Sequence, residues 1–237
     1  MFTTLLVDPI YNAFIFLLGL VPGNDVGLAI IALTLIVRAV FYPVFASSIR
    51  TSMAMQVVRP QLDDINEHYK DDVEERSRKT MELFRAHRIN PFSSILSALL
   101  QVVVFIALYW ALFRTGLPEI DTARLYSWVH APALFGTDFF GLIDLFSHHN
   151  VLVALIVLVL QYLVMRFSIE RLSGNLSPKA TDAQKMAHRM QNAMMLYFLP
   201  LLIGYVAYAV PAAVGVYFIT GNLISLGQEW LIRRRPL

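Results

Sequence analysis

The 237 residues are 57% hydrophobic and only 15% charged, with a mean hydropathy of +0.58, whereas a water-soluble domain carries roughly 25% charged residues. That balance excludes an ordinary soluble domain and points to the bilayer. A net charge of +2 is too small to argue for a nucleic-acid surface, and the absence of cysteine excludes disulfides, thiolate metal sites, a cysteine nucleophile and cysteine lipidation.

Taken in chain order, Met1 to Val37 contains no Lys or Arg, so the positive flank of a cleavable signal peptide is missing and the segment is expected to be retained. Asp8-Pro9 is expected to break the first apolar stretch. That leaves Ile10 to Val21, the length of an interfacial helix lying on the membrane surface, with a sixth span as the alternative, since no basic residue here votes on orientation. Five windows of spanning length follow. Val26 to Ala46 is apolar except for Thr34 and Arg38, Phe92 to Phe113 holds Gln101, Val151 to about Ile169 holds Gln161 and Arg166, and Ala193 to Val210 holds Pro200. Ala212 to Ile232 completes the set. Its second half carries Asn222, Gln228 and Glu229, which suits a buried or wet face better than a lipid-facing one.

Between Ser47 and Pro91 eight basic and eight acidic residues alternate with almost no glycine, as on a solvated helix. Ile49, Met53, Val57, Leu62 and Ile65 make one imperfect apolar stripe, and Val73, Met81 and Phe84 make another. Tyr69-Lys70-Asp71-Asp72 looks like a turn between them. The expectation is a cytoplasmic helical hairpin, either a spacer or a docking element. Five more basic residues lie between Arg166 and Arg189 and three at Arg233 to Arg235, whereas the opposite loops hold only Arg114 and Arg124. Basic residues near span ends stay on the cytoplasmic side. Five spans with the N-terminus outside and the C-terminus inside satisfy that count.

Arg38 is the sharpest single feature, because a charge at the centre of a span costs at least about 2.5 to 3.5 kcal/mol on insertion scales. Either it snorkels or it faces a hydrated interior. About eight residues, roughly 12 Å, separate it from Ala46, which an Arg side chain covers only in part. Gln101, Gln161, Tyr217 and Glu229 are the polar groups that could stand near an inward-facing guanidinium. No acid pair, nucleophile motif, phosphate loop or dinucleotide fingerprint accompanies it, so neither an enzyme nor a cofactor is expected. His148-His149 reads as a loop pair without a metal. Methionines at 53, 55, 81, 186, 190, 194 and 195 suit either ordinary packing or contact with varied apolar segments.

These segments resemble the YidC/Oxa/Alb membrane insertases. GLAIIALTLIVRAVFYP at 27 to 43 is similar to that family's Arg-bearing first core span, followed by YKDD at 69 to 72, INP at 89 to 91, Gln101 and FIALYWALF at 105 to 113. FLPLLIGY at 198 to 205 and VYFITGNLISLGQEWLI at 216 to 232 are similar to its last two spans. The resemblance covers about Pro9 to Ile232 and is weakest between Thr115 and Asn192.

It implies an all-α integral membrane protein of five transmembrane helices, with an N-terminal interfacial helix at 1–24 and an insertase core at 25–237. The core includes the hairpin at 47–91 and a cytoplasmic loop at 166–191. It further implies a hydrophilic groove with Arg38 as its positive centre. Thr34, Gln101, Tyr217 and Phe218 would line the groove or touch the substrate helix, and Asn222 would add a polar wall. Nascent membrane proteins and the lipid bilayer are the implied partners, with the ribosome and the Sec translocon as further ones. The tail Arg233-Arg234-Arg235-Pro236-Leu237 is short, so ribosome contact would fall to the hairpin and the 166–189 loop, and no large external domain is expected. Phe92-Ser93-Ser94 after Asn90-Pro91, where the family often has glycines and prolines, implies a straighter second span. From another class, a small channel or transporter with Arg38 as an anion site would show paired polar breaks in two repeated halves, and no such repeat is visible.

Overall fold

The computed structural model describes residues 3–114, 117, 119–172 and 182–233. Its helices are α1 (Asp8–Leu20), α2 (Val26–Val40), α3 (Tyr42–His68), α4 (Val73–Ala86), α5 (Phe92–Tyr109), α6 (Val151–Leu172), α7 (Asp182–Ala193), α8 (Leu199–Ala209) and α9 (Ala212–Arg233). A small antiparallel hairpin, β1 (Asp138–Phe139) and β2 (Ile143–Asp144), pairs Asp138 with Asp144 and Phe139 with Ile143. The chain is an all-α integral membrane protein. Thr3–Leu20, Phe92–Phe113, Val151–Ile169 and Lys185–Ala209 are long and apolar enough to cross a membrane. The α2–α3 pair, bent by 64°, passes the same test only when taken together, as a broken span or a re-entrant loop, and Ala212–Gln228 is a shorter apolar helix.

Two of the expected boundaries fall elsewhere. Asp8-Pro9 does not break the first segment, because a π-helical turn, Thr3–Val7, runs straight into α1. The same device recurs at Pro200, which the π-helical Met194–Phe198 precedes by one turn. A widened turn there relieves the clash between a proline ring and the carbonyl four residues back. The first core span, expected to run to Ala46, instead stops at Val40. Phe41 leaves helical geometry (φ −93°, ψ 11°), and α3 restarts with Pro43 in its first turn, where a missing N–H costs nothing.

The residues group into two compact units. The first comprises Met1–Val40, Leu99–Gln161 and Leu201–Leu237. Its core joins Tyr11, Phe14 and Ile15 of α1, Ala29, Ile30 and Leu33 of α2, Ala107 and Leu108 of α5, and Ala213 and Val216 of α9. A loop closes over this core. Asn12, fully buried, donates to the carbonyls of Asp8 and Arg124 (2.9 and 3.0 Å) and accepts from the Tyr126 amide (2.7 Å). Asp8 pairs with Arg124, and the Asp121 amide donates to the Tyr11 hydroxyl at 2.9 Å. A second apolar cluster holds Val153 and Val157 of α6 against Ala207 and Ala212. Glycines bring these helices together: a methyl at Gly215 would run into Val153, and one at Gly204 would stand 3.0 Å from Leu158. Small residues at such crossings let helices pack where lipid leaves little hydrophobic drive.

The second unit comprises Phe41–Ala98 and Tyr162–Pro200. The α3–α4 hairpin forms around the expected turn. Asp72 caps α4 by accepting from the Glu75 amide at 3.0 Å, and Glu75 three residues on completes a capping-box pattern. At its base Ser93 donates to Thr51 at 2.8 Å, and Thr51 donates to the Asn90 carbonyl at 3.3 Å. The two apolar stripes bury less than expected. Val57, Val73 and Met81 are exposed, α4 has no fully buried residue, and Val58 is the side chain of α3 that is sealed completely. Two helices packed on each other bury one seam, and the stripes are wider than that seam.

Candidate functional site

Within the first unit α2 packs along α9. Thr34 and Arg38 lie one turn apart on α2, and Tyr217 and Gly221, like Phe218 and Asn222, lie one turn apart on α9, so each pair shares a face. The Arg38 Nη2 reaches the Gly221 carbonyl at 3.4 Å, at the long end for a hydrogen bond. The same carbonyl accepts from the Ser225 hydroxyl at 2.9 Å. A methyl at position 221 would stand 3.3 Å from that Nη2. A side chain at 221 would therefore press on the guanidinium, which would have to shift by a few tenths of an ångström.

The expected groove residues fall into two layers. Arg38, Gln101 and Phe218 are partly exposed, whereas Thr34, Tyr217 and Asn222 are buried behind them. Gln101 donates to the Tyr217 hydroxyl. Thr34 turns its hydroxyl back to the Ile30 carbonyl at 2.7 Å, which satisfies it inside α2. The Asn222 Nδ2 is buried with no hydrogen-bond partner among the described residues. Gln161 lies on α6, outside this cluster, and the side chain of Glu229 is outside the described residues.

Sequence reasoning missed two contributors. Gly221 is one, visible beforehand only as the glycine of Thr220-Gly221-Asn222. The other is an aromatic ladder along α5 and the π-helical turn Trp110–Arg114 that continues it. Phe105 stacks on Phe218 (5.4 Å, 27°) and continues through Tyr109 (6.4 Å) and Phe113 (5.6 Å) to Phe146 (5.9 Å). The spacing of 105, 109 and 113 puts all three on one face.

The second unit holds a cavity of about 220 Å³ bordered by Ser52, Met55, Gln56, Arg59, Ile169, His188, Gln191, Asn192 and Met195. Arg59 stands 3.1 Å from His188 Nδ1 and the Asn192 amide 3.2 Å from Nε2. A guanidinium only donates, so Nδ1 accepts, Nε2 carries the ring proton, and Asn192 must present its carbonyl oxygen to it. On α4, Arg78 donates to Glu75 at 2.6 and 2.9 Å and thereby holds its carboxyl below the ordinary range. Among the described residues no three His, Asp or Glu side chains converge as metal ligands. The His149 ring packs edge-on against Tyr208 at 4.9 Å.

Residues 17–236 match the family model for the 60Kd inner membrane protein. The chain is also 31% identical over 208 residues to proteins described as "Membrane protein insertase YidC" from Francisella tularensis subsp. novicida strain U112, subsp. tularensis strain SCHU S4 and subsp. holarctica strain LVS, covering 88% of this chain and 32% of each relative. It thus spans about a third of the length of these relatives. With a matching family model along nearly its whole length, an Arg-bearing α2 packed on α9, and multi-pass apolar helices, the chain belongs to the 60Kd inner membrane protein family, that of YidC.

Proposed function

We propose that this chain is a membrane protein insertase that moves the polar flank of a nascent membrane protein through a hydrophilic groove and releases its helix into the bilayer. The observation that carries the reading is Arg38, a cation on an apolar helix, partly exposed and laid along the polar backbone of α9. The relatives are described as insertases, which supports the same reading.

Arg38, Gln101 and Phe218 form the accessible wall of the groove, and Thr34, Tyr217 and Asn222 the polar layer that holds them. No hydrolysis is required, since burying the substrate's apolar helix supplies roughly 25 cal/mol per Å². The barrier lies in carrying the polar flank through hydrocarbon. A wet, cationic groove shortens that passage and attracts acidic residues in transit. With the outside positive, the membrane potential adds about 2.3 kcal/mol per acidic charge per 100 mV. By the basic-residue count the N-terminus lies outside and the C-terminus in the cytoplasm. The α3–α4 hairpin then faces the cytoplasm, where nascent chains arrive from the ribosome or alongside the Sec translocon.

The test is insertion of a short single-span substrate into liposomes containing the purified protein. Protease protection of the translocated flank above the level in protein-free liposomes is expected, and equal protection in both would refute the function.

A further inference from the structure

The β1–β2 hairpin contributes no residue to the groove. Phe139 lies over Gly27 so closely that a methyl there would enter its ring, which seats the hairpin against the first turn of α2. Main-chain bonds hold it in place: the Val26 amide donates to the Gly136 carbonyl and the Gly136 amide to the Asn24 carbonyl, both at 3.1 Å. The Asn24 side chain donates to the Leu134 carbonyl at 2.8 Å. The hairpin is thereby pinned at the level where a membrane helix begins.

At that level the hairpin and the loop before it present large apolar side chains to the outside of the chain. Leu134, Phe140 and Leu142 are 83%, 66% and 85% exposed. The tip is a tight turn closed by the Leu142 amide on the Phe139 carbonyl at 3.0 Å, with Phe140 at φ 52° and Gly141 at φ 69°. Asn or Gly is the ordinary residue at the first of those positions, and a bulky aromatic there is strained. The strain gains only a contact with the neighbouring Phe139 ring (centroids 4.6 Å), which leaves most of Phe140 exposed. Asp138 and Asp144 stand opposite each other at the base of the hairpin, both exposed, and no Lys or Arg lies between 125 and 150. The element is apolar at its tip and acidic at its root.

We infer that Leu134, Phe140 and Leu142 dip into the lipid leaflet that surrounds the N-terminal end of α2 and anchor this face of the protein at the membrane boundary. The occupant is lipid because the hairpin is bonded to the first turn of the apolar helix α2, and at the end of such a helix apolar side chains lodge at the boundary of headgroups and acyl chains. The paired carboxylates keep the root in water and limit the depth to the tip. With no basic residue nearby, the contact does not depend on anionic lipid. The inference rests on the chain being a membrane protein and stands independently of the insertase reading.

The chain contains no cysteine, so Leu142→Cys and Asp144→Cys can each carry a single environment-sensitive NBD fluorophore in the full chain reconstituted into phosphatidylcholine vesicles. At 142 the emission should shift to the blue, and lipids spin-labelled near the headgroup should quench it several-fold more than at 144. Vesicles with added phosphatidylglycerol should give the same result. Equal, water-like emission at both positions would overturn the anchor. So would a blue shift at 142 that disappears when protein is diluted in lipid, which would assign the tip to a second copy of the chain.

Discussion

Gly215→Ala probes the crossing that holds α9, and with it the site, against α6. The added methyl would occupy the place of the Val153 side chain, and overpacking of this kind costs about 1 to 3 kcal/mol. Replacing a helical glycine by alanine returns about 1 kcal/mol of propensity, so the net loss is at most about 2 kcal/mol. Val153→Ala vacates the contested volume. In that background Gly215→Ala should be neutral or stabilising by up to about 1 kcal/mol, a coupling of about 1 to 3 kcal/mol between touching residues. Unfolding of the four proteins in detergent measures the cycle. A coupling near zero, with Gly215→Ala having the same effect in both backgrounds, would refute the close approach of α6 and α9.

Gln101→Leu should destabilise by about 1 to 3 kcal/mol, because it leaves the buried Tyr217 hydroxyl without its donor, and adding Tyr217→Phe should recover most of that in the same unfolding assay. On α4, the Glu75 carboxyl should titrate by NMR below the ordinary range and move up in Arg78→Gln. A depressed folded pKa means the pair's contribution is present near neutral pH and lost as pH falls through that pKa, so amide exchange in α4 should speed up in acid, less so in the variant. Asp72→Ala should loosen the first turn of α4 by about 1 kcal/mol, read from the same amides. Single cysteines at Ser77 and Thr137 should be labelled by an impermeant reagent from the cytoplasmic and outer faces respectively, and labelling of Ser77 from outside would invert the orientation. The matching position Ser177 lies outside the described residues.

Features that depend on near neighbours were legible in the sequence. Arg38 stands out in Val26 to Ala46 because a charge at the centre of an apolar window is costly, although α2 stops at Val40 and so holds Arg38 in its last turn, and the hairpin turn is written in Tyr69 to Asp72 followed by Glu75. The membrane class follows from composition alone. What escaped depends on which distant elements meet. Gly221 matters because the Arg38 guanidinium lies on its carbonyl, and Asn12 because its partners are at 124 and 126. The prolines misled for a local reason: Pro9 reads as a helix breaker only if the preceding turn is α-helical, and a π turn removes the clash. Pro43, read in the sequence only as the end of the Arg-bearing motif, marks the restart of the chain at Tyr42. Thr34 and Tyr217, which the resemblance implies line the groove or touch the substrate helix, are buried, their hydroxyls engaged with Ile30 and Gln101.

The central claim is that Arg38 serves insertion as a positive charge in the groove, and paired substrates that differ only in an acidic or neutral translocated flank test it most directly. Each would be inserted into proteoliposomes by the parent, Arg38→Lys and Arg38→Ala, with detergent stability measured in parallel. A diffuse potential does not need the planar fork of a guanidinium, so Arg38→Lys should keep much of the activity. Arg38→Ala should lose the acidic-flank substrate most while remaining folded. If Arg38→Ala inserts both substrates as the parent does, or loses both equally because it melts markedly earlier, the charge is not the working part of the groove.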